Sequence, residues 1–522
     1  MDEEVGQQRG ARALRLGGIG AVTVLLAAAL FFRLIGLDHL PGVNGDEAWY
    51  GVLAQAIVGG GDPQWRTPTG NLPGPFQVGS LLILQSVLPA SFALLRLPTV
   101  LSSIAAAALA WWVMRRHFDG PTALIALVLM ATLPIGIVYA RFGWDPSHGP
   151  LVGLVCTAFA LRGRRIACAI AFAVALATHP TNIFIGPFLL SILLGVEAER
   201  SGWRPAVKRT GLTAALLALT LVVLAVTTSG GQADAVPSTI IPRILDPQQW
   251  TGFLLLFSRL LSGDTAYGYI TGTGFGAANP PIDFIILLGL FALIGIGGRS
   301  LRRRPFGREA GIVTGWLLTL LGFFLIAGPA GLTPDYQRYA LCLIVPTILA
   351  LAILAREIGG QGTRMTGASV ATLLIGLLFL IGFQRHYLTA LEETGSIGHR
   401  TFWTGPIEPK EAALQALFAD PRLMARPVVA EDWWLYWPVA YLAHGHPVRL
   451  VDGSLLPPGP LPANRTWLVF AGEALDRRLA RTPGAVPVDT VSGTRRAAVL
   501  RIWLTGPVSP APPPPEARPS GR

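Results

Sequence analysis

Cysteine is nearly absent from these 522 residues: the three that occur, Cys156, Cys168 and Cys342, each lie inside an apolar run. That excludes a disulfide framework, and the lack of any Cys-x-x-Cys spacing excludes a zinc ribbon or finger. Lysine is rarer still, found only at Lys208 and Lys410, so almost all of the 41 basic residues are arginine. Charge of either sign is sparse at 14%, against 52% hydrophobic residues. Soluble domains are about one quarter charged, so a purely soluble class is excluded. No internal period recurs, which argues against solenoids and against transporter halves related by inverted repetition. The net charge of +11 does not point to nucleic acid, because the arginines gather between apolar segments instead of forming one basic face.

What the chain has instead is a succession of apolar runs punctuated by arginine. Arg9, Arg12 and Arg15 precede the run 16–37, which sets the N-terminus in the cytoplasm by the positive-inside rule. That run is long for a signal peptide and no small-residue cleavage site follows it, so it reads as an uncleaved first span. Further runs follow at 97–114, 122–138, 150–161, 166–177, 183–196, 212–226, 282–296, 311–326, 339–354 and 368–383. Read in alternation, they put Arg115-Arg116, the arginines of 162–165 and Arg302-Arg303-Arg304 on one side. The expected fold is mostly α, a multi-pass plasma-membrane protein with about eleven transmembrane helices. Runs 150–161 and 166–177 fall short of the roughly 20 residues of a usual span, and a re-entrant hairpin is the alternative. It would take the arginines of 162–165 out of the cytoplasm. Residues 76–88 are apolar as well, but counting them as a span inverts every later basic cluster, so they are assigned to an interfacial helix.

This reading makes 1–387 a membrane domain, with a first outer loop at 37–96 that carries a surface helix at 48–58 and a second at 227–280. From 388 to 506 the pattern changes to short apolar runs bounded by Gly, Pro or Asp. Helices are expected at 412–418 and 433–443, and strands at 427–430, 448–451, 466–470 and 497–502, giving a small extracytoplasmic α/β domain. Its aromatic helix, with Trp433, Trp434, Tyr436 and Trp437, is expected to rest on the membrane surface. The Pro-rich tail 507–522 is expected to be disordered.

Four outer segments carry the polar chemistry: Asp46-Glu47; Arg141, Asp145 and His148; His179; and Asp335-Tyr336-Gln337-Arg338-Tyr339. Carboxylates, histidines and arginines at the mouth of an apolar body suit a substrate with an acyl tail and an anionic head. Arginine offers phosphate a fixed cationic fork, and a carboxylate set against a hydroxyl serves as a general base. Each residue also has a plainer role open to it. Asp46 and Glu47 suit the start of the surface helix; Arg141 and Asp145 suit an ion pair on adjacent turns; His179 before Pro180 suits a helix end. Arg33 suits snorkelling or pairing with an outer carboxylate, and Arg338-Tyr339 an interfacial anchor. Asp46, Asp145, His148 and His179 leave a divalent metal open, though without tight ligand spacing.

The motifs resemble a known family. Arg33-x-x-x-Leu37 before Asp46-Glu47-Ala48-x-Tyr50, then Ala140-Arg141-x-x-x-Asp145-Pro146, then Arg338-Tyr339 with Pro346, are similar in order to the GT-C glycosyltransferases. These multispanning enzymes use polyprenyl-phosphate sugars; protein O-mannosyltransferases and lipid A aminoarabinose transferases are examples. The resemblance covers residues 16–385, and the Asp-Glu motif is its most specific part. It implies Asp46 as catalytic base with Glu47 as its neighbour, and Arg338, Tyr339, Arg141 and His179 at the donor phosphate. His179 stands where relatives often have lysine. Asp145, His148, Arg33 and Tyr336 are then substrate-binding or structural. The implied donor is a polyprenyl-phosphate-linked sugar and the acceptor a lipid, glycan or protein; the C-terminal domain would serve acceptor recognition or regulation. The rival from another class is a transporter or flippase of a lipid-linked saccharide, using the same carboxylates for ion coupling. A ligase moving whole oligosaccharides would look much the same in sequence.

Overall fold

The computed structural model describes residues 19–67, 70, 72–211, 213–214, 237–274, 280–360, 363–457 and 459–506. The basic N-terminal residues, the start of the first run, the run 212–226 apart from 213–214, and the tail 507–522 lie outside the described residues. Two compact units divide the chain: Met1–Leu37, Asn71–Ser80 and Arg96–Thr389 make the first, and Asp38–Gly70, Leu81–Leu95 and Ala390–Arg522 the second. This division differs from the sequence reading, because most of the first outer loop belongs with the C-terminal residues.

The first unit is helical and multi-pass. Among the described residues six helices are long and apolar enough to cross a membrane: Phe92–His117, Pro180–Ser201, Pro281–Arg302, Arg308–Ile326, Gln337–Gly359 and Met365–Thr394. Gly120–Thr132 and Pro134–Ala140 make a seventh if counted as one span, bent by 52°. The bend has a local cause: Leu133 precedes proline and takes an extended ψ of 122°, which the helix cannot continue through. Ile19–Leu34 and Arg165–Thr178 are apolar but shorter. The described helices thus confirm a multi-pass architecture without confirming a count of eleven.

Ion pairs fix which helix ends share a face of this unit. Arg356 meets Asp119 at 2.8 Å and Glu309 at 3.3 Å, and Arg304 meets Glu357 at 3.2 Å. Arg308 meets Glu199 at 2.6 Å, while Arg165 and Arg209 both bind Glu197. Arg200 also donates to the carbonyl of Arg162 at 2.9 Å. The turn at 162–165 therefore lies with the ends at Ser201, Arg308 and Gly359. Gly149–Leu161 rises only about 20 Å, yet its far end reaches that basic face. Close packing comes from small residues: a Cβ at Gly311 would lie 2.6 Å from the Ser191 carbonyl, and one at Gly315 would lie 2.8 Å from Phe188 Cα. Glycines one turn apart let the helices Gly186–Ser201 and Arg308–Ile326 touch backbone to backbone.

The second unit is built on five strands: β1 Val428–Ala430, β2 Leu450–Asp452, β3 Arg465–Phe470, β4 Ala485–Gly493 and β5 Arg496–Thr505, in the order β2-β1-β3-β5-β4. The first three are parallel, and β5 runs antiparallel to both β3 and β4. Strand alternation splits the core. Leu468 and Phe470 face Leu414, Leu417, Leu435 and Val439, while Trp467 and Val469 face Leu479 and Trp503. β4 is absent from the sequence expectation because it is a mostly exposed edge, bulged near Pro487 and lacking an apolar run. The helix Trp433–Leu442 crosses from β1 to β2, and the helix Gly45–Val58 of the first loop packs against it. A Cβ at Gly51 would come within 2.6 Å of the Tyr441 ring.

Candidate functional site

Asp46 and Glu47 stand in the first turn of Gly45–Val58. Asn44 caps that helix: its side-chain oxygen accepts from Glu47 N at 3.0 Å, and Glu47 Oε1 accepts from Asn44 N at 3.1 Å. This reciprocal capping box satisfies two helix-start N–H groups and holds Glu47 at 0% exposure. Glu47 thus fills the capping role. Asp46, one residue earlier, is only half-buried, where the helix dipole favours an anion. The approach to the helix is equally fixed. Gly42 N donates to Phe402 O at 3.1 Å and Val43 N to Glu408 Oε1 at 3.1 Å. Glu408 in turn is bound by buried Lys410 at 2.6 Å. At the far end Gln55 Nε2 donates to Tyr441 O at 3.0 Å.

In the membrane unit, the expected residues form two adjoining groups. Asp145 and His148 lie on the 3-10 turn Asp145–His148, started by Pro146, and are buried. Asp145 Oδ2 accepts from Gly74 N at 2.6 Å, and a side chain at Gly74 would collide with Asp145 and with Thr178 O. His148 Nε2 meets Gln77 Oε1 at 3.0 Å, and Nδ1 meets Ser102 Oγ at 2.7 Å. An amide oxygen only accepts, so Nε2 carries a proton. Burial pushes its pKa down to about 4. Both nitrogens of His148 are therefore committed to protein.

The second group gathers around Arg338. Its guanidinium lies 5.4 Å from the Trp144 ring and 4.8 Å from the Tyr339 ring, and donates to Asp335 O at 2.7 Å and Tyr339 Oη at 3.2 Å. His179 stacks on Tyr339, centroids 5.4 Å apart. Its Nδ1 accepts from Thr181 N at 3.3 Å, which leaves Nε2 as the N–H donor. Burial, then the charge of Arg338, lowers its pKa to about 4. Tyr336 is exposed beside Tyr339.

Two arginines serve helix ends. Arg141, fully buried, donates to the carbonyls of Phe32 and Ile35 at 2.8 and 2.7 Å, closing the C-terminus of Ile19–Leu34. Arg33 donates to Ala29 O and Ala131 O, both at 2.8 Å, and to Ser103 Oγ at 3.0 Å. Those contacts tie helices together, and no ion pair of Arg33 with an outer carboxylate occurs among the described residues. No group of three or more His, Cys, Asp or Glu side chains among the described residues is placed to hold a metal ion. Sequence reasoning missed one cluster: Arg259 Nε lies 3.1 Å from Asp283 and 3.6 Å from Asp264, both carboxylates buried. The signal was there, since Asp283 is an acid in the first turn of an apolar spanning helix.

No protein-family model matches the chain, and no curated protein does. Among solved structures, ArnT from Cupriavidus metallidurans bound to undecaprenyl phosphate superposes with a TM-score of 0.52 at 16% identity, over 92% of this chain and 98% of that one. The apo state of ArnT gives 0.51 at 16% identity, over 94% and 100%. The archaeal oligosaccharyltransferase AglB from Archaeoglobus fulgidus, in complex with an inhibitory peptide and a dolichol-phosphate, gives 0.45 at 12% identity, over 84% of this chain and 64% of that one.

Proposed function

From a GT-C fold shared with ArnT over nearly the whole of both chains, we infer that this protein is a membrane glycosyltransferase using a polyprenyl-phosphate sugar. The fold is the observation that carries the reading, since a solved protein with it holds undecaprenyl phosphate. The acceptor is a lipid, glycan or protein on the extracytoplasmic side, and the N-terminus is cytoplasmic.

The chemistry follows from the leaving group. Prenyl phosphate departs as an anion, so it needs charge neutralisation and no general acid. Arg338 supplies the cation, held in direction by Tyr339 and the carbonyl of Asp335. Neutral His179 adds an N–H donor; Arg141 is spent on helix carbonyls. A sugar or peptide hydroxyl is a poor nucleophile and needs a base, for which Asp46 is the half-buried carboxylate. The acceptor oxygen bonds to the anomeric carbon as Asp46 takes its proton. The carbon–oxygen bond to phosphate breaks, its electron pair leaves with prenyl phosphate, and the anomeric centre inverts.

Purified protein incubated with a panel of polyprenyl-phosphate sugars is expected to release prenyl phosphate. If the lipid-linked saccharide instead changes leaflet with its carrier bond intact, the transporter reading replaces this one.

A further inference from the structure

The second unit contains a cleft that no catalytic role uses. Trp433, Tyr436 and Trp437 fall at i, i+3 and i+4 of the helix Trp433–Leu442, hence on one face, while Leu435 and Val439 turn to the core. That aromatic face walls an open cavity of about 610 Å³, completed by Gln64, Asp452 and Ser454. Such a volume lies within the roughly 300–1,000 Å³ usual for small-molecule sites. Its position is also suited to a ligand: Trp433 follows β1 by three residues, and Asp452 ends β2. Ligands of open parallel sheets bind outside the carboxyl ends of their strands.

The polar atoms of the cleft identify the ligand class. Asp452 Oδ1 accepts from Ser454 N and Oγ at 2.9 and 2.6 Å, which leaves Oδ2 as an acceptor. Tyr436 and Gln64 add groups that both donate and accept. Aromatic faces with donors and acceptors around them match a pyranose, whose C–H faces are apolar and whose rim is hydroxyl. An ammonium ion would use the rings and the carboxylate but not the donors. Among the described residues Asp452 is the one charged side chain in the wall, and Glu431, Asp432 and Glu473 gather nearby around Arg400, at 4.0, 2.5 and 3.9 Å. An anionic ligand is therefore disfavoured.

We propose that this cleft binds a saccharide free of negative charge. That the bound saccharide is the acceptor, held by its own sugar residues, rests on the transferase reading; the binding does not. Full-length protein in lipid nanodiscs, probed by saturation-transfer NMR, is expected to bind neutral oligosaccharides and methyl glycosides at millimolar concentration or below. Uronate-containing oligosaccharides should bind at least tenfold more weakly. Trp433→Ala and Asp452→Asn should each weaken neutral saccharide binding tenfold or more and leave acceptor-free donor hydrolysis within twofold. Where Trp433→Ala lowers the melting temperature, Asp452→Asn decides alone, since it keeps the shape of the cleft. Absence of neutral saccharide binding, or binding equal to wild type in Asp452→Asn, overturns the proposal. Saccharide binding without any donor turnover would instead sink the transferase reading and leave the cleft standing.

Discussion

Asp46→Asn separates chemistry from the helix cap, because the cap does not run through Asp46. Asparagine keeps the shape and suits the first helical turn as well as aspartate does. Its lost charge against the helix dipole is worth about 0.3–1 kcal/mol. The capping box runs through Asn44 and Glu47 and stays intact. Loss of a general base costs roughly 10²–10⁴-fold in rate, which is about 3–5 kcal/mol of barrier. The catalytic effect thus exceeds the structural one several-fold. Single-turnover transfer, read as released prenyl phosphate, should fall by that factor while donor binding and the melting temperature hold. Glu47→Gln is the internal control: the amide oxygen still accepts from Asn44 N, so turnover should stay within a few-fold. Glu47→Ala should instead cost about 0.5–2 kcal/mol of stability through the lost cap. Turnover in Asp46→Asn within a few-fold of wild type would remove Asp46 as base.

Arg338→Ala should weaken donor binding by about 2 kcal/mol, since it removes a charge-assisted contact, and unchanged donor affinity would take Arg338 out of the site. Truncation after Thr389 removes Phe402, Glu408 and Tyr441 from beneath the Asp46 helix; acceptor transfer and donor hydrolysis should both be lost, and a folded truncation that hydrolyses donor at the wild-type rate would contradict this. Burial, with Asp432 and Glu473 nearby, raises the Glu431 pKa to about 7. The folded state therefore favours the protonated acid, its stabilisation is complete below the ordinary glutamate pKa, and it is lost as pH rises through 7. Glu431→Gln keeps the acceptor for Phe470 N and should remove that loss, up to roughly 3 kcal/mol at pH 8; identical melting curves against pH would refute it. A cysteine placed at Arg303 should resist an impermeant thiol reagent in intact cells, and labelling there would invert the proposed orientation.

The local readings held where one period dominates. Runs such as 97–114, 311–326 and 339–354 are helices, and the short apolar runs near 428, 450, 466 and 500 are strands, because burial on one face or all round writes itself into residue spacing. The short pair 150–161 and 166–177 is ambiguous by length, and what the fold adds is that Arg165 binds Glu197 near the end of Gly186–Ser201. Edge strand β4 left no apolar signature, since its side chains face water.

The site was legible as residue types and not as roles. The sequence by itself determined that this is a multi-pass membrane protein with acids and arginines in the segments between its apolar runs, because hydropathy and charge are properties of segments. What each of those groups touches was decided by tertiary structure. Arg141 looks like Arg338 on paper, but one closes a helix end and the other lies between aromatic rings. Glu47 is adjacent to Asp46, yet its carboxylate folds back on Asn44. The helix bearing both is built into the unit of the C-terminal sheet through contacts more than 350 residues apart in the chain, as in Val43 to Glu408 and Gln55 to Tyr441. No window along the sequence contains both partners of such a contact, so only the folded chain reveals it.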